Sequence, residues 1–166
     1  MHRIPVMVFC CMAALLAGVA NQPAAAANQP AGNAAAPRSE PRFSLARSAK
    51  EPGAVVTSTG LVYRAVKVGT GRSPKASDVV KVHYRGVFSD GREFDSSYAR
   101  NEPAVFPLNR VIPCWTEGVL RMKVGGKARL SCPAAIAYGA GGTPGGPIPP
   151  NATLFFDVEL LSIRGG

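Results

Sequence analysis

The sequence predicts an α+β domain in which one short amphipathic helix covers one face of an antiparallel β-sheet. Two segments, residues 80–85 and 153–160, alternate apolar and polar side chains with the period of two that half-buried strands have. A third segment, after Pro113, spaces its apolar residues as a helix does. An antiparallel sheet with one hydrated face needs a cover for the other face, and this helix is the only candidate.

Four segments are predicted to be strands. The first has alternate apolar residues on one face, Val80, Val82 and Tyr84. Ser89-Asp90-Gly91 then predicts a hairpin turn. The last strand repeats the alternation, with Leu154, Phe156, Val158 and Leu160 on its apolar face. Residues 61–68 and 127–131 are the other two candidates.

The helix prediction depends on spacing and on both ends of the segment. Trp115, Val119 and Met122 recur at i, i+4 and i+7. Pro113 suits the first turn of a helix, and the glycines at 125 and 126 suit its end. We therefore predict a short amphipathic helix that begins at Pro113.

The chain divides into three parts by composition. Residues 1–20 have a basic start, an apolar run and small residues, which predicts a signal peptide over this segment, with cleavage after residue 20 or at a second group of small residues that ends at residue 27. An uncleaved anchor is the alternative, although the apolar run is shorter than the roughly 20 residues that a span prefers. Residues 21–53 are rich in Ala and Pro and predict a disordered linker. Residues 54–164 form the predicted domain, which would work in the periplasm or outside the cell.

The chain has a formal net charge of +9, but its basic residues do not predict nucleic-acid binding. No run of Lys and Arg is interleaved with aromatic residues, and an export signal argues against such a partner. We interpret the charges as a hydrated surface, with loose attraction to an anionic membrane surface as the alternative. Cys10 and Cys11 lie inside the apolar run, away from either small-residue cleavage site, so no lipid anchor is predicted.

Residues for covalent or metal chemistry are scarce. The histidines are His2, in the signal, and His83, on the polar face of a strand, so no Ser/His or Cys/His pair is credible. The remaining cysteines, Cys114 and Cys132, lack a metal-ligand spacing with His83, and no metal or cofactor is predicted. In an oxidising compartment these two cysteines are either a disulfide or two buried thiols, and the sequence leaves both open.

Several motifs in order along residues 54–164 resemble the FK506-binding protein family of peptidyl-prolyl cis/trans isomerases. They are Val82-His83-Tyr84-Arg85-Gly86, Asp90-Gly91, Phe94-Asp95-Ser96-Ser97, Val111-Ile112, Trp115-Thr116-Glu117-Gly118, Ala137-Tyr138-Gly139, residues 148–154 and Phe156 with Val158-Glu159-Leu160. The resemblance implies a half-barrel of five to six antiparallel strands wrapped around the helix.

The resemblance also implies an aromatic pocket. The catalytic positions it gives are Tyr84, Phe94, Asp95, Trp115, Tyr138 and Phe156, with Trp115 as the floor. Further pocket residues are Val111, Ile112, Ile148 and Arg100. Asp95 is expected to be held by Tyr84 and Arg100. The Tyr138 hydroxyl and the Ile112 amide are expected to donate hydrogen bonds to substrate carbonyls.

Two departures from the family pattern bear on this expectation. Ala104 stands where an aromatic residue is common, which predicts an open wall in the pocket. Cys114 replaces a common glycine beside Trp115, and Cys132 falls in a strand that the helix should cover, so we hypothesise that the two cysteines pair.

The expected activity is isomerisation of X-Pro bonds in exported polypeptides, without covalent catalysis. A catalytically weak chaperone or adaptor that uses the same pocket is the alternative, prompted by Ala104. Expected partners are proline-containing polypeptides and, as inhibitors, macrolides like FK506 and rapamycin. The linker is too short and irregular for a helical dimerisation domain, and we expect a monomer without a stable membrane anchor.

Overall fold

A computed structural model describes residues 41–164, which contain an open antiparallel sheet and two short helices. The helices are α1 (Leu45–Ala49) and α2 (Pro113–Leu120). The strands, in chain order, are β1 (Ala54–Val56), β2 (Val62–Lys67), β3 (Val79–Val87), β4 (Glu93–Ser96), β5 (Ala104–Pro107), β6 (Lys127–Cys132) and β7 (Leu154–Arg164). The α+β prediction, with α2 against an antiparallel sheet, is confirmed.

The sheet has seven strands rather than five to six, in the order β1-β2-β6-β7-β3-β4, with β5 also paired to β3. The count differs because several strands are short. β1 has only three residues, and β4 and β5 have four each. Strand β3 has nine residues, so β5 pairs with its first half and β4 with its second half. The opposite edge of β3 pairs along its whole length with β7.

The predicted apolar faces of β3 and β7 form the core against α2. Val80, Val82, Val158 and Leu160 are fully buried, and Tyr84 is 5% exposed. Helix α2 approaches β6 closely, since a Cβ atom built at Gly118 would lie 2.6 Å from the Leu130 side chain. Val119 is also fully buried. Met122 lies beyond the helix yet is 2% exposed, because its amide hydrogen bonds the Val119 carbonyl and continues the last turn.

A disulfide joins α2 to β6 on the inner face of the sheet, which is the face that α2 covers. It links Cys114 and Cys132, whose Cα atoms are 5.8 Å apart. Both residues are fully buried. The helix that begins at Pro113 is therefore tied covalently to the strand it covers.

The prediction of a disordered linker is wrong for residues 41–53, which fold onto the outer face of the sheet. The Phe43 ring lies 5.5 Å from the Phe155 ring, and Ser131 on β6 donates a 2.9 Å hydrogen bond to Ser48 of α1. Ser44 caps α1 by accepting from the Arg47 amide. Phe155 falls on the face that alternation assigns to polar residues, yet it is 2% exposed. The contact between Phe43 and Phe155 thus helps to hold this segment on the sheet, although the segment has few apolar residues.

The predicted signal peptide, its alternative as an anchor, and the rest of the predicted linker lie outside the described residues. Within residues 41–164, no helix is long and apolar enough to cross a membrane.

Candidate functional site

A cleft of about 370 Å³ opens on the sheet's inner face, beside the start of α2. Strands β3, β4, β5 and β7 each contribute an aromatic or acidic side chain to it. The residues that line the cleft are Tyr84, Phe94, Asp95, Phe106, Arg110, Val111, Ile112, Trp115, Tyr138 and Phe156. Eight of the ten predicted catalytic and pocket residues, Asp95 among them, are therefore brought together.

Trp115 is the centre of an aromatic cluster. Its ring is nearly perpendicular to those of Tyr84, Phe106 and Phe156, with centroids 5.2, 5.7 and 5.4 Å away. Edge-to-face contacts of this kind each add about 0.5 to 1.5 kcal/mol beyond simple burial. Because Trp115 is only 5% exposed, three rings fix its position and the cleft has a rigid apolar floor.

A glycine allows two wall residues to meet. Phe94 and Phe156 pack edge to face, with centroids 5.6 Å apart, over the backbone of Gly86. A Cβ atom at Gly86 would lie 2.6 Å from the Phe94 ring and 3.0 Å from the Phe156 ring. Any larger residue would push these rings from their positions, so the glycine of the Tyr84-Arg85-Gly86 motif is a requirement of the cleft.

Besides Arg110, the lining residue that the sequence reasoning missed is Phe106. It lies two residues after Ala104 on β5, so both side chains point to the same face. Its ring contacts Tyr84, with centroids 6.0 Å apart, as well as Trp115. The open wall expected at Ala104 itself stays a prediction, since the aromatic wall on this face of β5 comes from Phe106. The period of two along β5 is the signal that identifies it.

Asp95 belongs to a hydrogen-bonded group at the edge of the cleft. Its carboxylate accepts from the Tyr84 hydroxyl and from Arg100, and Arg100 also donates a 3.0 Å hydrogen bond to the Tyr84 oxygen. Burial alone raises the pKa of Asp95, but the bonds from Tyr84 and Arg100 outweigh burial and hold that pKa below its usual value. Burial and the Asp95 contact raise the pKa of Tyr84. Asp95 is thus charged and Tyr84 neutral near pH 7.

Two donors at the cleft have no acceptor among residues 41–164. One is the hydroxyl of Tyr138, which is 39% exposed and lines the cleft, and the other is the amide of Ile112 just before α2. Burial, with a smaller effect of the Asp95 charge, raises the pKa of Tyr138, so its hydroxyl keeps its proton at neutral pH. Both groups are available to a ligand carbonyl.

Two predicted pocket residues do not line the cleft. Ile148 is 6% exposed and belongs to the core, where its amide donates a 3.0 Å hydrogen bond to Thr143. Arg100 contacts the site through Asp95 and Tyr84. Ile148 therefore supports the loop that carries Tyr138, and Arg100 holds the acid in place.

The chemistry of the lining is that of a binding cleft. It contains no Ser, Cys, His or Lys, and its charged members in the described chain are Asp95 and Arg110. No group of His, Cys, Asp and Glu within residues 41–164 is arranged to hold a metal ion. Such a cleft suits an apolar ring held by a few hydrogen bonds. The fold and cleft therefore define a sheet protein with an aromatic binding cleft.

Comparison with known proteins identifies the family. Residues 70–161 match the family described as FKBP-type peptidyl-prolyl cis-trans isomerase. The chain is 56% identical over 120 residues to the FKBP-type peptidyl-prolyl cis-trans isomerase FkpA of Aeromonas hydrophila, which covers 72% of this chain and 44% of that protein.

Two solved structures have a similar fold. The crystal structure of FkpA from Escherichia coli matches with a TM-score of 0.70 and 53% identity over 73% of this chain and 56% of that one. A peptidyl-prolyl cis-trans isomerase from Pseudomonas syringae pv. tomato matches with a TM-score of 0.67 and 36% identity over 72% of this chain and 87% of that one. The chain belongs to the FKBP-type peptidyl-prolyl cis-trans isomerase family. It spans less than half the length of the FkpA protein of A. hydrophila.

Proposed function

We propose that this protein accelerates cis/trans rotation of X-Pro bonds by binding the prolyl segment in the Trp115 cleft. The observation that carries the proposal is the rigid aromatic floor with two donors, Tyr138 and Ile112, that have no partner in residues 41–164. A proline ring is apolar and fits against aromatic faces, whereas the adjacent carbonyls need donors.

The reaction needs no nucleophile. Rotation about an amide bond has a barrier of about 18 to 20 kcal/mol because resonance gives the C–N bond double-bond character. The two isomers of an X-Pro bond differ by only about 0.5 to 1 kcal/mol, so a catalyst has only to lower the barrier. The twisted amide has lost its charge-separated resonance form. An apolar cleft that excludes water therefore favours the twisted amide over the planar one.

The polar groups orient the substrate in this mechanism. The Ile112 amide and the Tyr138 hydroxyl donate to carbonyl oxygens on either side of the proline, which fixes the segment while one bond turns. Asp95 and Arg100 hold the Tyr84 hydroxyl and thereby the ring that meets Trp115. Val111 and Phe94 complete the apolar walls.

The test compares two tyrosines in a protease-free isomerisation assay with a proline tetrapeptide. Tyr138→Phe removes one donor at the cleft, and we expect kcat/KM to fall about threefold to tenfold, as the loss of one hydrogen bond predicts. Tyr98→Phe is the matched control, since Tyr98 hydrogen bonds Glu159 away from the cleft. Equal kcat/KM for wild type and Tyr138→Phe would contradict the role of this donor, and no acceleration by wild type would refute the isomerase proposal.

The proposal includes the cellular setting and the ligands. A Cys114–Cys132 disulfide and the composition of residues 1–20 support a periplasmic or secreted enzyme acting on exported polypeptides. Macrolides like FK506 and rapamycin are the proposed inhibitors, and the proposed assembly is a monomer. Cell fractionation, inhibition of the assay by FK506, and light scattering check these three points. The chaperone or adaptor alternative depends on Ala104, and the aromatic wall that Phe106 supplies two residues away supports the isomerase instead.

A further inference from the structure

Arg110 lies at the mouth of the cleft on a firmly held turn. It ends the 3₁₀ turn Leu108–Arg110, which connects β5 to α2, and its side chain is exposed. Leu108 is fully buried, its amide donates to the Asp78 carbonyl at 3.1 Å, and its carbonyl accepts from the Thr116 hydroxyl at 2.7 Å. The backbone that carries the Arg110 guanidinium is therefore fixed relative to the cleft.

The charge of Arg110 is not balanced at this site. Asp95, the acid that lines the cleft, is paired with Arg100. Within residues 41–164, no ion pair or side-chain hydrogen bond engages the Arg110 guanidinium. The mouth of the cleft thus carries one net positive charge, next to aromatic walls of low polarity that screen it less than water does.

A bound prolyl segment must pass this charge. The proline ring enters the cleft, so the residues on both sides of it leave through the mouth. Arg110 is two positions before Ile112, whose amide is the proposed donor to the segment. A side chain next to the proline therefore comes within reach of the long, flexible arginine side chain.

Resting on the isomerase activity proposed above, we propose that Arg110 makes the enzyme select prolyl segments with an acidic residue next to the proline. An acidic neighbour forms an ion pair at the mouth, while a basic neighbour is repelled. The interaction is partly exposed, so added salt weakens it. The substrate class is accordingly X-Pro bonds flanked by Asp or Glu.

The experiment measures kcat/KM on capped tetrapeptides whose only charge is a Glu or a Lys next to the proline. One series places that residue before the proline and the other places it after. The full chain is assayed as wild type, Arg110→Gln and Arg110→Glu, at low salt and at high salt. Lys81→Glu is the matched control, because Lys81 is exposed on the polar face of β3 and its substitution changes the net charge as Arg110→Glu does.

We expect the Glu-to-Lys ratio of kcat/KM to fall about threefold in Arg110→Gln and about tenfold in Arg110→Glu in at least one series, as one partly screened charge pair predicts. High salt should reduce the wild-type ratio, and Lys81→Glu should leave it unchanged. The inference is overturned if both charge-reversal variants change the ratio equally, or if no Arg110 variant changes it. If all peptides are accelerated equally, only the inference about Arg110 is contradicted. If no peptide is accelerated, the isomerase proposal itself is contradicted.

Discussion

At the scale of the residue, the site consists of apolar side chains and neutral aromatic rings, the exposed Arg110, and one acid, Asp95, with a lowered pKa. The bonds that Asp95 accepts from Tyr84 and Arg100 keep it ionised below the ordinary carboxyl pKa of 3.8, despite its partial burial. Tyr84 and Tyr138 have pKa values raised from 10.0 by burial. These three groups of the site therefore keep one protonation state across the neutral range.

The constant protonation states of Asp95, Tyr84 and Tyr138 predict that kcat/KM changes little with pH around neutrality. Because folding lowers the pKa of Asp95, the stabilisation that its carboxylate gains from Arg100 is fully present above the ordinary carboxyl pKa. This stabilisation is lost as the pH falls through the lowered pKa of Asp95. We expect kcat/KM to be constant between about pH 5 and 9 and to decline only below about pH 4.

The measurement is a protease-free assay across that range. Asp95→Asn should remove the acid limb, since the variant has no carboxyl to protonate. A bell-shaped profile with a limb between about pH 5 and 8 would argue that a general acid or base takes part.

At the scale of the element, α2 is held to the sheet by packing and by one covalent bond. Gly118 allows the helix to approach Leu130, and the disulfide between Cys114 and Cys132 fixes the start of the helix next to Trp115. Trp115, the floor of the cleft, is thus tied to β6 through the neighbouring residue Cys114. The outer face has its own small element, α1, which sequence composition did not predict.

Removal of the disulfide should lower stability more than it lowers activity. Closing a loop between cysteines 18 positions apart contributes about 3 kcal/mol to the free energy of unfolding in the chain-entropy model. We expect Cys114→Ala/Cys132→Ala to lose about this amount in urea unfolding, while kcat/KM at low temperature falls less than tenfold because the rings around Trp115 remain.

Thiol titration of the unfolded, unreduced protein is the companion measurement. It should detect no free thiol from Cys114 or Cys132. Two free thiols other than those of Cys10 and Cys11 would rule out the pairing, and so would wild-type stability that does not change on reduction.

At the scale of the whole molecule, the sheet depends on its last strand. Strand β7 pairs with β3 along its whole length and with β6 on its other edge, and it supplies Phe156 to the cleft. Its buried residues Leu154, Val158 and Leu160 are fully inaccessible to solvent. Without β7, strands β3 and β6 would lose the strand that lies between them.

We therefore expect a chain that ends before Leu154 not to fold. Circular dichroism and heteronuclear NMR should find no native sheet in a chain of residues 1–153. As a control, removal of the last residues after Arg164 should leave the spectra unchanged, since the last strand ends there. A cooperative unfolding transition of the shorter chain would contradict the expectation.

Most of this fold could be predicted because local patterns and tertiary structure agree. The alternation in β3 and β7 and the proline start of α2 were sufficient to identify them. Phe43 and α1 could not be predicted, because a segment with few apolar residues is stabilised by a distant contact with Phe155. At the site, family motifs led to Trp115 and Tyr138, whereas Phe106 became evident only when β5 was placed beside β3.

The central position of β7 also sets the order of events during synthesis. A ribosome makes β3 some 67 residues before the first residue of β7, so the longest pairing in the sheet must wait until β7 has been made. Until then β3 has only its short partners β4 and β5. We expect a nascent chain that lacks β7 to remain unfolded, for the reason that applies to the chain of residues 1–153.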